Sequence, residues 1–174
     1  MTTLPSQVRM ILTTTVERWE ALTDMLPADL LSRPPAPGEW SARQCLEHLL
    51  DTEHILFPVR LQAFLTGQDF PSFNPGKQSS DYSTQTPAEL AAAFTKQRVE
   101  NMVLLDTLTP QDLSRTARHP ELGPVSLEQM LHQWVAHDLN HTVQAERALM
   151  QPFIVGSGPW RSFFKDHDAA LTGA

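Results

Sequence analysis

Ser126-Leu127-Glu128-Gln129-Met130-Leu131-His132-Gln133-Trp134-Val135-Ala136-His137-Asp138-Leu139-Asn140-His141 reads as one helix with chemistry on its inner face. Ser126 is a capping residue, and Leu127, Leu131, Trp134, His137, His141, Ala145 and Ala148 follow at helical spacing along one apolar stripe. A step of four residues turns the helix by only about 40° and advances it by about 6 Å. His137 and His141 therefore leave the same face and point into the protein, where two unpartnered imidazoles would be costly. This spacing suits a metal ion.

Two nitrogens are too few for a site, so a third ligand is expected from another helix. His48 lies in Glu39-Trp40-Ser41-Ala42-Arg43-Gln44-Cys45-Leu46-Glu47-His48-Leu49-Leu50-Asp51, which also reads as helix. Angular bookkeeping sorts the other histidines. His132 points about 140° from His137 and about 180° from His141, which places it at a packing seam or an interface. His54 lies about 120° from His48. No periodicity places His119 or His167, and both are expected in solvent. His48, His137 and His141 form the one trio that two facing helices bring together, and three neutral nitrogens would leave coordination positions open on a divalent transition metal.

Four more residues could border such a centre. Trp134 and Gln144 lie within about 60° of the histidine face, where they would wall the site or orient a ligand, or else serve as bundle packing and an exposed amide. Asp51 could contact the free N–H of His48, or be a solvated carboxylate. Cys45, the one cysteine, could approach the site from three residues before His48, although a small buried hydrophobe is the commoner role.

Outward from this stretch, three further helices follow from periodicity and caps. The first spans about Leu4 to Leu26, with Val8, Ile11, Leu12, Trp19 and Leu22 on one side. Arg33-Pro34-Pro35-Ala36-Pro37-Gly38 interrupts regular structure. A capping box at Ser41 and Gln44 starts the second helix, which Pro58 should kink and Gly67 should stop near Thr66. The loop from Gly67 to Thr86 can return along the bundle, so the second and third helices can be parallel. Its Phe70, Pro71, Phe73, Pro75 and Tyr82 are expected to pack on the helices. Thr86-Pro87-Ala88-Glu89 opens a third helix reaching about Leu108, and a short turn at Pro110 to Leu113 precedes the fourth. Without sustained period-two alternation, the expected fold is an all-α four-helix bundle with long crossover loops, a single domain over residues 1–174.

Composition narrows the function classes. With 20 acidic and 13 basic side chains the net charge is −7, and the basic residues form no stripe, so nucleic acid is not an expected partner. No apolar run approaches the roughly 18 residues of a membrane span, and the N-terminus has no signal-peptide pattern. A cytoplasmic protein is expected, with a small-molecule substrate and, left open, a homodimeric assembly. Glycine-rich phosphate loops, nucleophile elbows and CxxC pairs are absent from the sequence.

Taken together, Trp40-Ser41, the run Glu47-His48-Leu49-Leu50-Asp51-Thr52-Glu53, Gly123-Pro124-Val125-Ser126-Leu127 and the series His132, His137, His141, Gln144 resemble the motifs of the DinB/YfiT-like metalloenzyme superfamily. The resemblance covers nearly the full chain. It implies a four-helix bundle with one metal ion, nickel, zinc or iron, held by His48, His137 and His141. It also implies chemistry on small molecules, since some related proteins are thiol transferases that use bacillithiol or mycothiol, including maleylpyruvate isomerase relatives. The family name reflects damage-inducible expression and implies no DNA chemistry. One departure is Thr142-Val143-Gln144, where the family motif ends in Arg/His-Gly-Gln. The expected function is a metal-dependent thiol S-transferase or hydrolase. The alternative is a non-catalytic stress-response or ligand-binding module whose metal only ties two helices, its shell closed by Cys45 or a carboxylate.

Overall fold

The computed structural model describes residues 3–72 and 80–172, of Thr172 the backbone alone. Four long helical segments form the bundle: α1 (Leu4–Met25), α3 (Ala42–Ile55) continued by α4 (Phe57–Thr66), α5 (Pro87–Leu105) and α6 (Leu127–Gly156). The single turn α2 (Ala28–Leu31) follows α1, and α7 (Ala169–Thr172) ends the described chain. Local sequence sets the starts. Ser41 with Gln44, Thr86 with Glu89 and Ser126 with Gln129 each form a reciprocal capping box, so two otherwise unpaired backbone donors are satisfied at each start. Gly67, at φ 69°, closes α4 in the left-handed conformation that only glycine adopts cheaply.

Pro58 acts as its chemistry requires. It cannot donate to the ladder, so the second helix breaks at Leu56 and Pro58 enters the first turn of α4, where a missing N–H costs little.

Cross-helix contacts give the directions. Arg18 of α1 pairs with Glu146 of α6, and Thr15 donates to Asp138, so these two helices run parallel. Arg98 of α5 reaches Leu12 while Thr95 reaches Glu20, which makes α1 and α5 antiparallel. Leu46 and Leu49 share a core cluster with Leu90 and Phe94, whereas Glu53 meets Asn101, so α3 and α5 are parallel. Going up, down, down and up, the four helices need a crossover between α4 and α5, and the loop from Gly67 to Thr86 makes it. Phe70 is buried against Phe64, and Tyr82 packs on the α3 cluster. The expected packing of Phe73 and Pro75 lies outside the described residues.

Two apolar clusters fill the bundle. One gathers Val8, Leu12, Phe57, Leu61, Met102, Leu131 and Trp134, the other Trp19, Leu46, Leu49, Leu90, Phe94 and Ala145. Between them, Thr15, Glu53, Arg98, Asn101 and Asp138 form a buried polar layer. One element lies outside the all-helical expectation, an antiparallel hairpin of β1 (Thr116–His119) and β2 (Gly123–Ser126) that leads into α6. Four-residue strands containing Ala117, Val125 and Pro124 carry too little alternation to register as strands. Among the described residues, no helix is long and apolar enough to cross a membrane.

Candidate metal centre

The seam between α3 and α6 brings three imidazoles together. Because these helices are antiparallel, His48 on α3 meets His137 and His141, one turn apart on α6, and a nitrogen of each lies within 4.8 Å of the others. The closest pair is His48 Nε2 and His137 Nε2, at 3.0 Å. All three rings are half-buried. Burial, aided by His141 and partly opposed by Asp51, pushes His48 down to about 4. Burial and the neighbouring His141, His48, Arg60 and Arg98 push His137 down to about 3. Burial also lowers His141, against the opposing contact with Gln144. The trio is neutral near pH 7, the protonation state a metal requires.

The donor set fits a divalent transition ion. His141 Nδ1 lies 2.9 Å from Gln144 Oε1, and an amide oxygen only accepts, so this ring carries its proton on Nδ1 and turns Nε2 toward the other two histidines. His137 Nδ1 is buried without a hydrogen-bond partner. Metal–nitrogen bonds of about 2.0–2.1 Å bring ligand nitrogens about 3–3.4 Å apart, close to the observed 3.0 Å. Three imidazole nitrogens suit zinc, nickel or iron. Among the described residues, the cluster gathers no fourth histidine, cysteine or carboxylate.

The bordering residues divide. Gln144 orients His141. Trp134 does not wall the site: it is fully buried, stacks on Phe57 at 4.7 Å and donates to Glu53. Phe57 in turn sets its ring edge against His137. Asp51 is neither bonded to His48 nor a solvated carboxylate, because it is buried and accepts from Tyr82 Oη at 2.7 Å and from the Ser80 amide. Cys45 is fully buried in the apolar cluster, and burial pushes its thiol up to about 12. That side chain is core.

Two features escape the sequence reading. Trp40 covers the centre, stacked on His141 at 5.6 Å and tilted against His48 at 5.0 Å. Its position immediately before the helix cap was the available signal. The second is the polar layer behind His137, in which Arg98 bridges Glu53 and Asp138. Periodicity places a charge in the core only by its exclusion from the polar face, and α5 shows weak segregation.

Of the remaining histidines, His132, His54 and His167 are exposed. His132 thus lies outside the expected packing seam, on a face of α6 where Ala136, Leu139 and Val143 are exposed as well. His119 is not simply solvated: the hairpin holds it half-buried, with Nδ1 accepting the amides of Glu121 and Leu122.

A bundle with these directions and a three-histidine seam defines the class, and the chain belongs to the DinB superfamily, whose family model matches residues 11–145. It is similar to the Bacillus subtilis protein named "Putative metal-dependent hydrolase YfiT", 27% identical over 142 residues that make up 72% of this chain and 79% of that one. Similarity to OB0782 of Oceanobacillus iheyensis, which bears the same kind of name, is 26% over 107 residues, 60% of this chain and 62% of that protein. The chain thus matches less than two thirds of the length of that relative. Among solved structures, YfiT from Bacillus subtilis, described as an unusual four-helix bundle, superposes with a TM-score of 0.72 at 21% identity over 83% of this chain and 85% of that one. A mycothiol-dependent maleylpyruvate isomerase variant matches with a TM-score of 0.65 at 12% identity, over 83% of this chain and 63% of that one. Both likenesses concern the fold.

Proposed function

We propose that the protein is a metal-dependent enzyme acting on a small molecule, as a thiol S-transferase or a hydrolase, with His48, His137 and His141 holding one divalent ion. The observation that carries this reading is the donor set itself: three neutral, converging imidazoles and, among the described residues, no fourth protein ligand in the cluster. A structural site closes its shell with four protein ligands, whereas a reactive one leaves room for substrate. The core position of Cys45 argues against the non-catalytic alternative with a thiolate-closed shell.

A divalent cation there would lower the pKa of a bound thiol or water and so supply a nucleophile near neutral pH. The protein's own residues do the positioning. Gln144 fixes the His141 tautomer, Trp40 shields two of the imidazoles, and Phe57 supports the His137 ring. Tyr82 and Ser80 bind Asp51, tying the crossover loop to α3 one turn from His48.

The names of the sequence relatives favour hydrolysis, and the mycothiol-dependent structural neighbour, an isomerase by name, favours a reaction that uses a thiol. Metal-loaded protein is therefore assayed with glutathione, bacillithiol or mycothiol plus a chromogenic electrophile, and in parallel with ester and amide substrates. Metal-dependent turnover of one class, lost in His137→Ala, is the expected result and selects between the two reactions. Activity unchanged by metal removal overturns the reading.

A further inference from the structure

Arg60 is a half-buried cation without a carboxylate partner among the described residues. It lies on α4 three residues after Phe57, the ring that abuts His137. Its guanidinium sits over the Phe70 ring, 5.1 Å from the centroid, and its Nε is buried with no hydrogen-bond partner. An unpaired buried donor on a charged group is expensive, and native structures rarely tolerate one without a reason.

The hydrogen-bond-range neighbour of Arg60 among the described residues deepens the deficit. Its Nη2 faces His119 Nε2 at 3.2 Å. On the far side of that ring, Nδ1 accepts the backbone N–H groups of Glu121 at 3.1 Å and Leu122 at 3.3 Å. A backbone amide can only donate, so Nδ1 bears the lone pair and the proton of a neutral ring is on Nε2. The contact between Arg60 and His119 is therefore donor against donor. Hairpin geometry maintains it from one side and α4 from the other. An oxyanion placed beside both would accept from the guanidinium and from the imidazole, in the charge-assisted geometry arginine favours.

We propose that Arg60 and His119 form an oxyanion subsite that takes the carboxylate or phosphate group of a small organic ligand. Phe57, one turn before Arg60 on α4, sets its ring edge against His137, which puts the subsite on the same helix as a wall of the histidine centre. Its use as a substrate handle rests on the metal-dependent reading above, whereas anion binding does not.

The full chain, metal-loaded and metal-stripped, is titrated with benzoate, its neutral isostere benzamide and inorganic phosphate. Calorimetry gives the affinity, and the imidazole resonances of His119 report the location. Saturable anion binding is expected in both forms, without a response to benzamide, and Arg60→Gln weakens it roughly tenfold or more. Arg60→Lys, which keeps the charge but not the fork, falls between and serves if the glutamine variant does not fold. Tighter benzoate assigns a carboxylate ligand, tighter phosphate a phosphate. Anion binding in a protein that takes up no metal refutes the enzyme reading and leaves the subsite intact. The subsite is refuted by equal affinities in wild type and both variants, by benzamide binding as benzoate does, or by no saturable binding. A variant that loses thermal stability yet binds the anion unchanged shows that Arg60 and His119 only pin the hairpin.

Discussion

Adjacent residues of α6 serve two polar clusters of opposite character. Asp138 faces inward to Arg98, at 2.7 Å, and Arg98 in turn holds Glu53 at 2.9 Å. Thr15 donates to Asp138, Asn101 and Trp134 donate to Glu53, and of the Arg98 nitrogens Nε is left over. His137, one residue earlier, faces His48 and His141, where, among the described residues, Gln144 is the only side chain hydrogen-bonded to the trio from outside it. The inner cluster satisfies nearly all of its groups from within the fold and has structural work. The outer one has lone pairs in surplus, which a bound cation would satisfy. Burial raises the Glu53 pKa, although Arg98 and Asn101 oppose it, which shows how much the inner layer depends on its partners.

The largest effect expected from breaking this contrast is at the outer cluster. His48→Ala, His137→Ala and His141→Ala should each reduce metal content, by elemental analysis of tag-free protein, from near one ion per chain to near zero. His132→Ala, at an exposed position, should retain it. The pH dependence has a defined sign. Folded values of about 4 for His48 and about 3 for His137 lie below the unperturbed value near 6.5, so acid favours the unfolded, metal-free chain. The stability contributed by the neutral rings is full above about pH 6.5 and is lost as pH falls through the folded values. Denaturant midpoints of wild type minus His137→Ala across that range should show this loss, and a flat difference would contradict it.

At the inner cluster the consequence is for folding. Arg98→Ala leaves Glu53 and Asp138 buried without their cation, and should cost about 3–5 kcal/mol in urea unfolding. A cost under about 1 kcal/mol would mean that water enters the layer freely, and the contrast with the outer cluster would dissolve.

Gln144→Ala tests the outer cluster's tie to the amide of Gln144. Without the amide, His141 is free to change tautomer or rotate, so metal affinity should fall roughly 10–100-fold. Unfolding of the metal-free protein should change little, because Gln144 is only partly buried. If the metal-free stability fell as much as the affinity, Gln144 would belong with the structural cluster instead.

How much of this could be read from the chain depends on where the signal resides. The caps at Ser41, Thr86 and Ser126 and the break at Pro58 are local, and so were legible. The His48, His137 and His141 trio was legible because helical rotation excludes His132 and His54, while His119 and His167 lie outside the periodic segments. The crossover came from loop length. What escaped depends on partners distant in sequence. Trp134 takes its role from Glu53 and Phe57, and Asp51 takes its role from Tyr82 and Ser80, neither of which periodicity can pair. The hairpin is too short for a pattern to accumulate, yet it fixes His119.

The smallest effect concerns the strap beside the centre. Tyr82 is half-buried, its hydroxyl donates to Asp51 at 2.7 Å, and Arg43 secures the same residue through its carbonyl at 2.7 Å. Burial, together with the carboxylates of Asp51 and Glu47, pushes the phenol up to about 12, so it remains a donor at any physiological pH. Tyr82→Phe removes that donor while keeping the ring and the Arg43 contact. Global stability should therefore drop by only about 1 kcal/mol. The Ser80 amide, which also bonds Asp51, should exchange faster with solvent, whereas amides in α3 keep their protection. Metal content should not change, since Asp51 makes no hydrogen bond to His48. A loss of metal in Tyr82→Phe would instead make the strap part of the outer cluster, with Asp51 steering His48 after all.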